Sequence, residues 1–168
     1  LAIEYKELII GFDIAGPELN FLPSMYKDSF LKVKNEGINI TIHAGEGDGV
    51  HSIQEALDNG AKRIGHGVRI IEDISDDNEL GHTADFVLQN KIPLEICITS
   101  NLHTNMYKSP QDHPILRLHN LEFNISLNTD NRLMSNTSID NELKMAKLAG
   151  IDDPNSLLKY SASDSFLN

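Results

Sequence analysis

The 168 residues contain one cysteine, Cys97, which excludes an intrachain disulfide and suits a reducing cytoplasm. Basic residues are scarce. Fourteen Lys and Arg against 25 Asp and Glu leave a formal net charge of −11. Such a chain is repelled by a nucleic-acid backbone and by an anionic membrane, so neither is an expected partner. A nucleic-acid-like ligand would have to be small and preferably uncharged. No apolar run approaches the length of a membrane span, and no low-complexity linker divides the chain. What is present is 40% apolar and 23% charged residues, a globular composition of one-domain size.

Short β-rich runs alternate with helical periods. Leu8 to Ile14, Ile38 to His43, Ile64 to His66, Leu94 to Thr99 and Phe123 to Asn128 read as strands. Helical spacing is carried by Tyr26, Phe30 and Val33, by Val50, Ile53 and Leu57, by Leu80, Ala84, Val87 and Leu88, and by Ile139, Leu143 and Ala146. A last short helix is expected from Asp153 and Pro154. The acidic run Glu72 to Glu79 reads as a solvated loop and cap. Strands that follow one another through helical crossovers imply a parallel sheet.

Parallel strands covered on both faces are usually apolar throughout. Here Ile38, Ile40 and Ile42 oppose Asn39, Thr41 and His43, and Ile125 and Leu127 oppose Ser126, Asn128 and Asp130. Each strand thus has one apolar face for helices and one polar lane. A polar lane ending in reactive residues at the C-terminal tips fits the interior of a (β/α)8 barrel, which keeps its chemistry at that end. His66 breaks the parity, because Ile64 falls on its side, and a bulge is expected there.

Five motifs mark these tips and their loops: GFDIAG at 11–16, TIHAGE at 41–46, RIGHG at 63–67, SNLHT at 100–104 and SLNTD at 126–130. In this order the chain resembles the adenosine deaminase family over essentially its whole length. The resemblance implies an α/β fold, a partial (β/α)8 TIM barrel of approximately strands 4 to 8. Residues 1–168 would be the C-terminal portion, with strands 1–3 absent; Leu1 reads as a cut end. It implies hydrolytic deamination of adenosine and 2′-deoxyadenosine through a metal-activated water, with Zn2+ as cofactor. His43 and Asp130 would be metal ligands. Glu46 would donate a proton to purine N1, and His66 would orient the attacking water. The backbone N–H of Gly16 would bond purine N3, Asn131 would bond N7, and Asp13 would orient a neighbouring side chain. Asn131 stands where the family commonly has a second Asp. An amide carries donors at every pH, whereas a carboxylate must be protonated to donate.

The chemistry also holds without the name. Replacing an aromatic amine by oxygen needs a strong nucleophile at neutral pH, which a metal supplies by acidifying water. It also needs an acid for the ring nitrogen, and a buried carboxyl can stay protonated for that task.

The family's H-x-H metal motif has no counterpart among the seven histidines, so two of its ligands are missing. The polypeptide alone is expected to bind metal poorly and to be inactive. Its open sheet edges would be covered by the N-terminal half of the same protein or by self-association. Two other readings stand beside this one. An adenine or AMP deaminase of the same superfamily is disfavoured by Gly65 and by the lack of a clear phosphate clamp. A non-catalytic half-barrel for binding or assembly is favoured by the missing ligands and disfavoured by the intact acid and base. His51, His82, His113 and His119 read as structural, Cys97 as a small buried side chain, and Ser100, Asn101 and His103 as a turn or a substrate contact.

Overall fold

The computed structural model describes residues 1–158, 165 and 166. Five parallel strands, β1 (Gly11–Ile14), β2 (Asn39–Ala44), β3 (Arg63–His66), β4 (Leu94–Ile96) and β5 (Ile125–Leu127), form one sheet in chain order. Helix α1 (Lys27–Asn35) connects the first pair, α2 (Val50–Asp58) the second and α3 (His82–Gln89) the third. Two helices, α4 (Ile98–His103) and α5 (Ile115–Asn120), lie between β4 and β5, and α6 (Arg132–Ser135) and α7 (Ile139–Leu148) follow. This is an α/β fold of the expected kind, an arc of a (β/α)8 barrel with β1 and β5 at its ends. Among the described residues no helix is long and apolar enough to cross a membrane.

The two lanes are real. Ile40, Ile42, Ile64, Leu94, Ile96 and Ile125 form the apolar face and are at most 1% exposed. Each such side chain contributes about 1.5–3 kcal/mol by leaving water. On the other face Thr41 lies opposite Arg63, Gly65 opposite His43 and Glu95, and Glu95 opposite Ser126. Arg63 Nε donates to Thr41 Oγ1 at 3.2 Å and lies 3.5 Å from Glu95. Its guanidinium also stacks 4.1 Å from the Phe166 ring centre, so the lane's charge is partnered from both sides.

Two expectations change. The strand expected over Leu94 to Thr99 ends at Ile96, and the chain turns into α4 at Ile98. The buried carboxylate of Glu142 on α7 accepts the Thr99 N–H at 3.1 Å and the Thr137 hydroxyl at 2.8 Å. That gives the first turn of α4 a partner no strand would need. The bulge expected at His66 is absent, because register runs one to one up to Ala44 opposite His66. The parity breaks instead through a left-handed backbone, with φ of 61° at His66. Helices α4, α5 and α6 carry no clear periodicity; each is six residues or fewer and owes its form to tertiary contacts. The acidic loop behaves as a cap, since Asp73 Oδ2 accepts the Ala84 N–H of α3 at 2.9 Å. The last expected helix shows helical residues at 156–158, and what lies beyond at 159–164 is outside the described residues.

Candidate functional site

Parallel strands deliver their C-terminal tips to one end of the sheet, and the reactive side chains collect there. His43, near the end of β2, and His66, at the end of β3, meet edge to face with ring centres 5.0 Å apart. Gly65 makes this possible. A Cβ there would stand 2.4 Å from His43 Cδ2, so the imidazole can lie only over a glycine. His43, His66 and Asp130 line one cleft of about 140 Å³ together with Glu95, Cys97 and Asn128. Asp130 sits just beyond β5, where its Oδ2 accepts the Ser100 hydroxyl at 2.7 Å. Both His66 and Asp130 hold left-handed backbone, with φ of 61° and 52°. Such strain costs about 1–3 kcal/mol per residue and persists only where the surroundings impose it.

Glu46 follows β2 by two residues, and its Oε2 lies 3.5 Å from His66 Nε2. Burial raises the Glu46 carboxyl above the usual carboxylate range, partly countered by a hydrogen bond from Asn101. Burial, reinforced by neighbouring His43, pushes His66 down to about 4, so its ring is neutral at pH 7. A carboxyl biased to keep a proton and an imidazole biased to lose one stand side by side. Burial also drives the Cys97 thiol far up, which makes it a packing residue and not a nucleophile.

The other expected residues surround this pair. Asp13 Oδ2 lies 3.7 Å from His43 Nε2, the position of a neighbour that can orient the ring. Gly16 has φ of +152°, and a Cβ there would meet nothing within 4 Å. It borders a second hollow of about 130 Å³ shared with Ile14, Phe21, Ile42 and His43. Asn131 is exposed, and its Oδ1 caps α6 by accepting the Met134 N–H at 3.0 Å. Only its amide nitrogen is left to face a ligand.

The roles of two contributors went unread in the sequence. Glu18 is buried, and its carboxylate accepts the backbone N–H groups of Glu46 at 3.0 Å and Asp48 at 2.9 Å. It thereby fixes the loop that carries Glu46. The only signal was an acidic residue two places after Gly16. Asn101 is wholly buried and donates to Glu46 Oε1 at 2.9 Å; its place in a motif was visible but its partner, 55 residues away, was not.

The family model for adenosine deaminase matches residues 1–162. The chain belongs to the adenosine deaminase family. It is 47% identical to adenosine deaminase 1 of Streptomyces coelicolor over 150 residues, which cover 86% of this chain and 38% of that protein. It is 44% identical to the adenosine deaminase of Mycolicibacterium vanbaalenii, over 85% of this chain and 41% of that one. This family member therefore spans about two-fifths of those relatives' length. Among solved structures, adenine deaminase from Arthrobacter aurescens superposes with a TM-score of 0.85 at 22% identity, covering 98% of this chain and 50% of that one. The apo N6-methyl-AMP deaminase from Arabidopsis thaliana gives 0.82 at 27% identity, covering 99% and 48%.

An imidazole and a carboxylate in one cleft are the donor types zinc accepts. They are fewer than a divalent ion needs. Among the described residues no group of three or more His, Cys, Asp or Glu side chains is arranged to hold a metal. The donor chemistry would fit one side of an ion.

Proposed function

We propose that the protein carrying this chain hydrolyses adenosine and 2′-deoxyadenosine to the inosine products and ammonia, with Zn2+ as its metal. The reading rests above all on the Glu46–His66 pair beside a cleft lined by His43 and Asp130. His43 and Asp130 would hold the ion. When bound, zinc makes water acidic enough to lose a proton near pH 7. His66, neutral and facing the cleft, would orient the water that attacks the ring carbon bearing the amine. Glu46, biased to stay protonated, would deliver a proton to purine N1 as charge develops there. The Gly16 N–H would bond N3 and the Asn131 amide nitrogen N7, while Asp13 would steady His43.

Among the described residues, the cation beside Glu46 that a nucleotide phosphate would need is already engaged. Arg69, in the hollow beside Glu46, is held by both carboxylate oxygens of Glu72 at 2.6 and 3.1 Å. The missing donors and the two open sheet edges point to completion of the barrel by an N-terminal half or a second copy. Exposed Leu8, Leu19 and Met25 lie in the chain around β1, and exposed Leu133 and Met134 follow β5, which supports that reading. A buried free thiol suits a cytoplasmic setting.

Ammonia release by the zinc-loaded complete protein tests the assignment. Adenosine and 2′-deoxyadenosine should be turned over at least tenfold more efficiently than adenine or AMP, a 1.4 kcal/mol difference. A preference for adenine would move it to the base-specific enzymes, and inertness toward all four would leave only a binding module.

A further inference from the structure

The backbone N–H of Ile115 donates to His113 Nδ1 at 3.1 Å. That contact decides the proton arrangement of everything beyond it. An Nδ1 that accepts carries no hydrogen, so neutral His113 must carry its hydrogen on Nε2. Burial keeps this ring neutral, with its pKa pushed down to about 4. Its Nε2 lies 3.3 Å from Asn101 Oδ1, and only the amide oxygen can accept there. The amide of Asn101 is thereby fixed in one orientation, with Nδ2 directed at the site. Nδ2 lies 2.9 Å from Glu46 Oε1 and 3.4 Å from His66 Nδ1. Both of those atoms are placed to accept, with Met106 Sδ at 3.8 Å a third and weaker acceptor for the same amide. A hydrogen on the Glu46 carboxyl then belongs on Oε2, and Nε2 is the His66 atom left to face it. These two atoms lie 3.5 Å apart. Oε2 has a lone pair free for the imidazole hydrogen while its own hydrogen points elsewhere.

We propose that Asn101, locked by His113, is the positioning residue that grips Glu46 and His66 by their rear atoms and leaves Oε2 and Nε2 to handle protons. This deepens the deaminase reading and depends on it for its catalytic meaning. The relay itself does not. It starts at a main-chain donor and runs through side chains that are all buried or nearly so, with Asn101 at 0% exposure and His113 at 3%.

The test combines a spectroscopic signature with a kinetic one, both on the complete zinc-loaded protein. Imidazole 15N shifts should show His113 and His66 as Nε2–H tautomers. Asn101→Asp keeps the shape but removes the donor, and should lower kcat about ten- to a hundredfold with little change in KM. His113→Leu should do the same. His113→Gln, whose amide can offer one N–H toward Asn101, should retain most of the activity. An Nδ1–H tautomer at either histidine would overturn the relay. So would wild-type kcat in Asn101→Asp, or equal losses in the Leu and Gln variants of His113. If the wild-type protein deaminates no purine, the enzyme reading fails, yet the tautomers still judge the relay.

Discussion

The two sides of the site are built differently. The rear wall, made of Glu46, His66, Asn101 and His113, is hydrogen-bonded and deeper, with His66, Asn101 and His113 buried and 20% of the Glu46 side chain in water. The front, made of Asp13, His43, Asp130 and Asn131, is open, with 55% of the Asp13 side chain and 24% of that of His43 in water. Acid–base groups need a desolvated, fixed setting to hold unusual proton affinities. Groups that meet an ion or a ligand need empty space before them. On the proposed reading, the chain carries the proton-handling half of the site, while the half that would meet metal and substrate would depend on what completes it.

The sharpest way to probe the rear wall is Glu46→Gln, which keeps shape and removes the acid. kcat for deamination should fall about 10²–10⁴-fold with the fold intact; a fall below tenfold would mean that the proton comes from elsewhere. At the seam between the halves, Gly65→Ala forces a methyl against the His43 ring, 2.4 Å from Cδ2. It should weaken zinc affinity about ten- to a hundredfold, while the acid–base pair behind stays in place. Unchanged zinc affinity would show that the ring can move aside freely.

The smallest effect separates the halves by pH. His113 is neutral in the fold with its pKa near 4, against an ordinary 6.5. Between those values the unfolded chain binds a proton that the folded chain refuses, so stability falls as pH drops from about 6.5 toward 4. The slope per such histidine is at most about 1.4 kcal/mol per pH unit. His66 adds in the same sense. Urea midpoints across this range should flatten in His113→Gln, and an unchanged slope would show that this imidazole is protonated in the fold.

How much of this was legible followed from range. The alternation of Ile38, Ile40 and Ile42 with polar neighbours exposed the two-lane sheet, because side-chain direction on a strand is a local property. The same rule misled at Ile98 and Thr99, where a carboxylate from α7, 43 residues beyond Thr99, holds the first turn of a helix. His43, His66 and Asp130 stood out at strand tips, and they share a cleft. Asn101 and His113 did not stand out, since an amide and a histidine gain meaning only from partners brought by folding. Glu18 was silent for the same reason.

The chain-order arrangement of the sheet has a consequence for how such a polypeptide is made. Every strand pairs with the one synthesised just before it, so each can dock as it emerges, without waiting for distant segments. Pairing between successive strands lets assembly proceed stepwise during translation. On the proposed reading, the pairings left for last would be those that join β1 and β5 to whatever completes the ring.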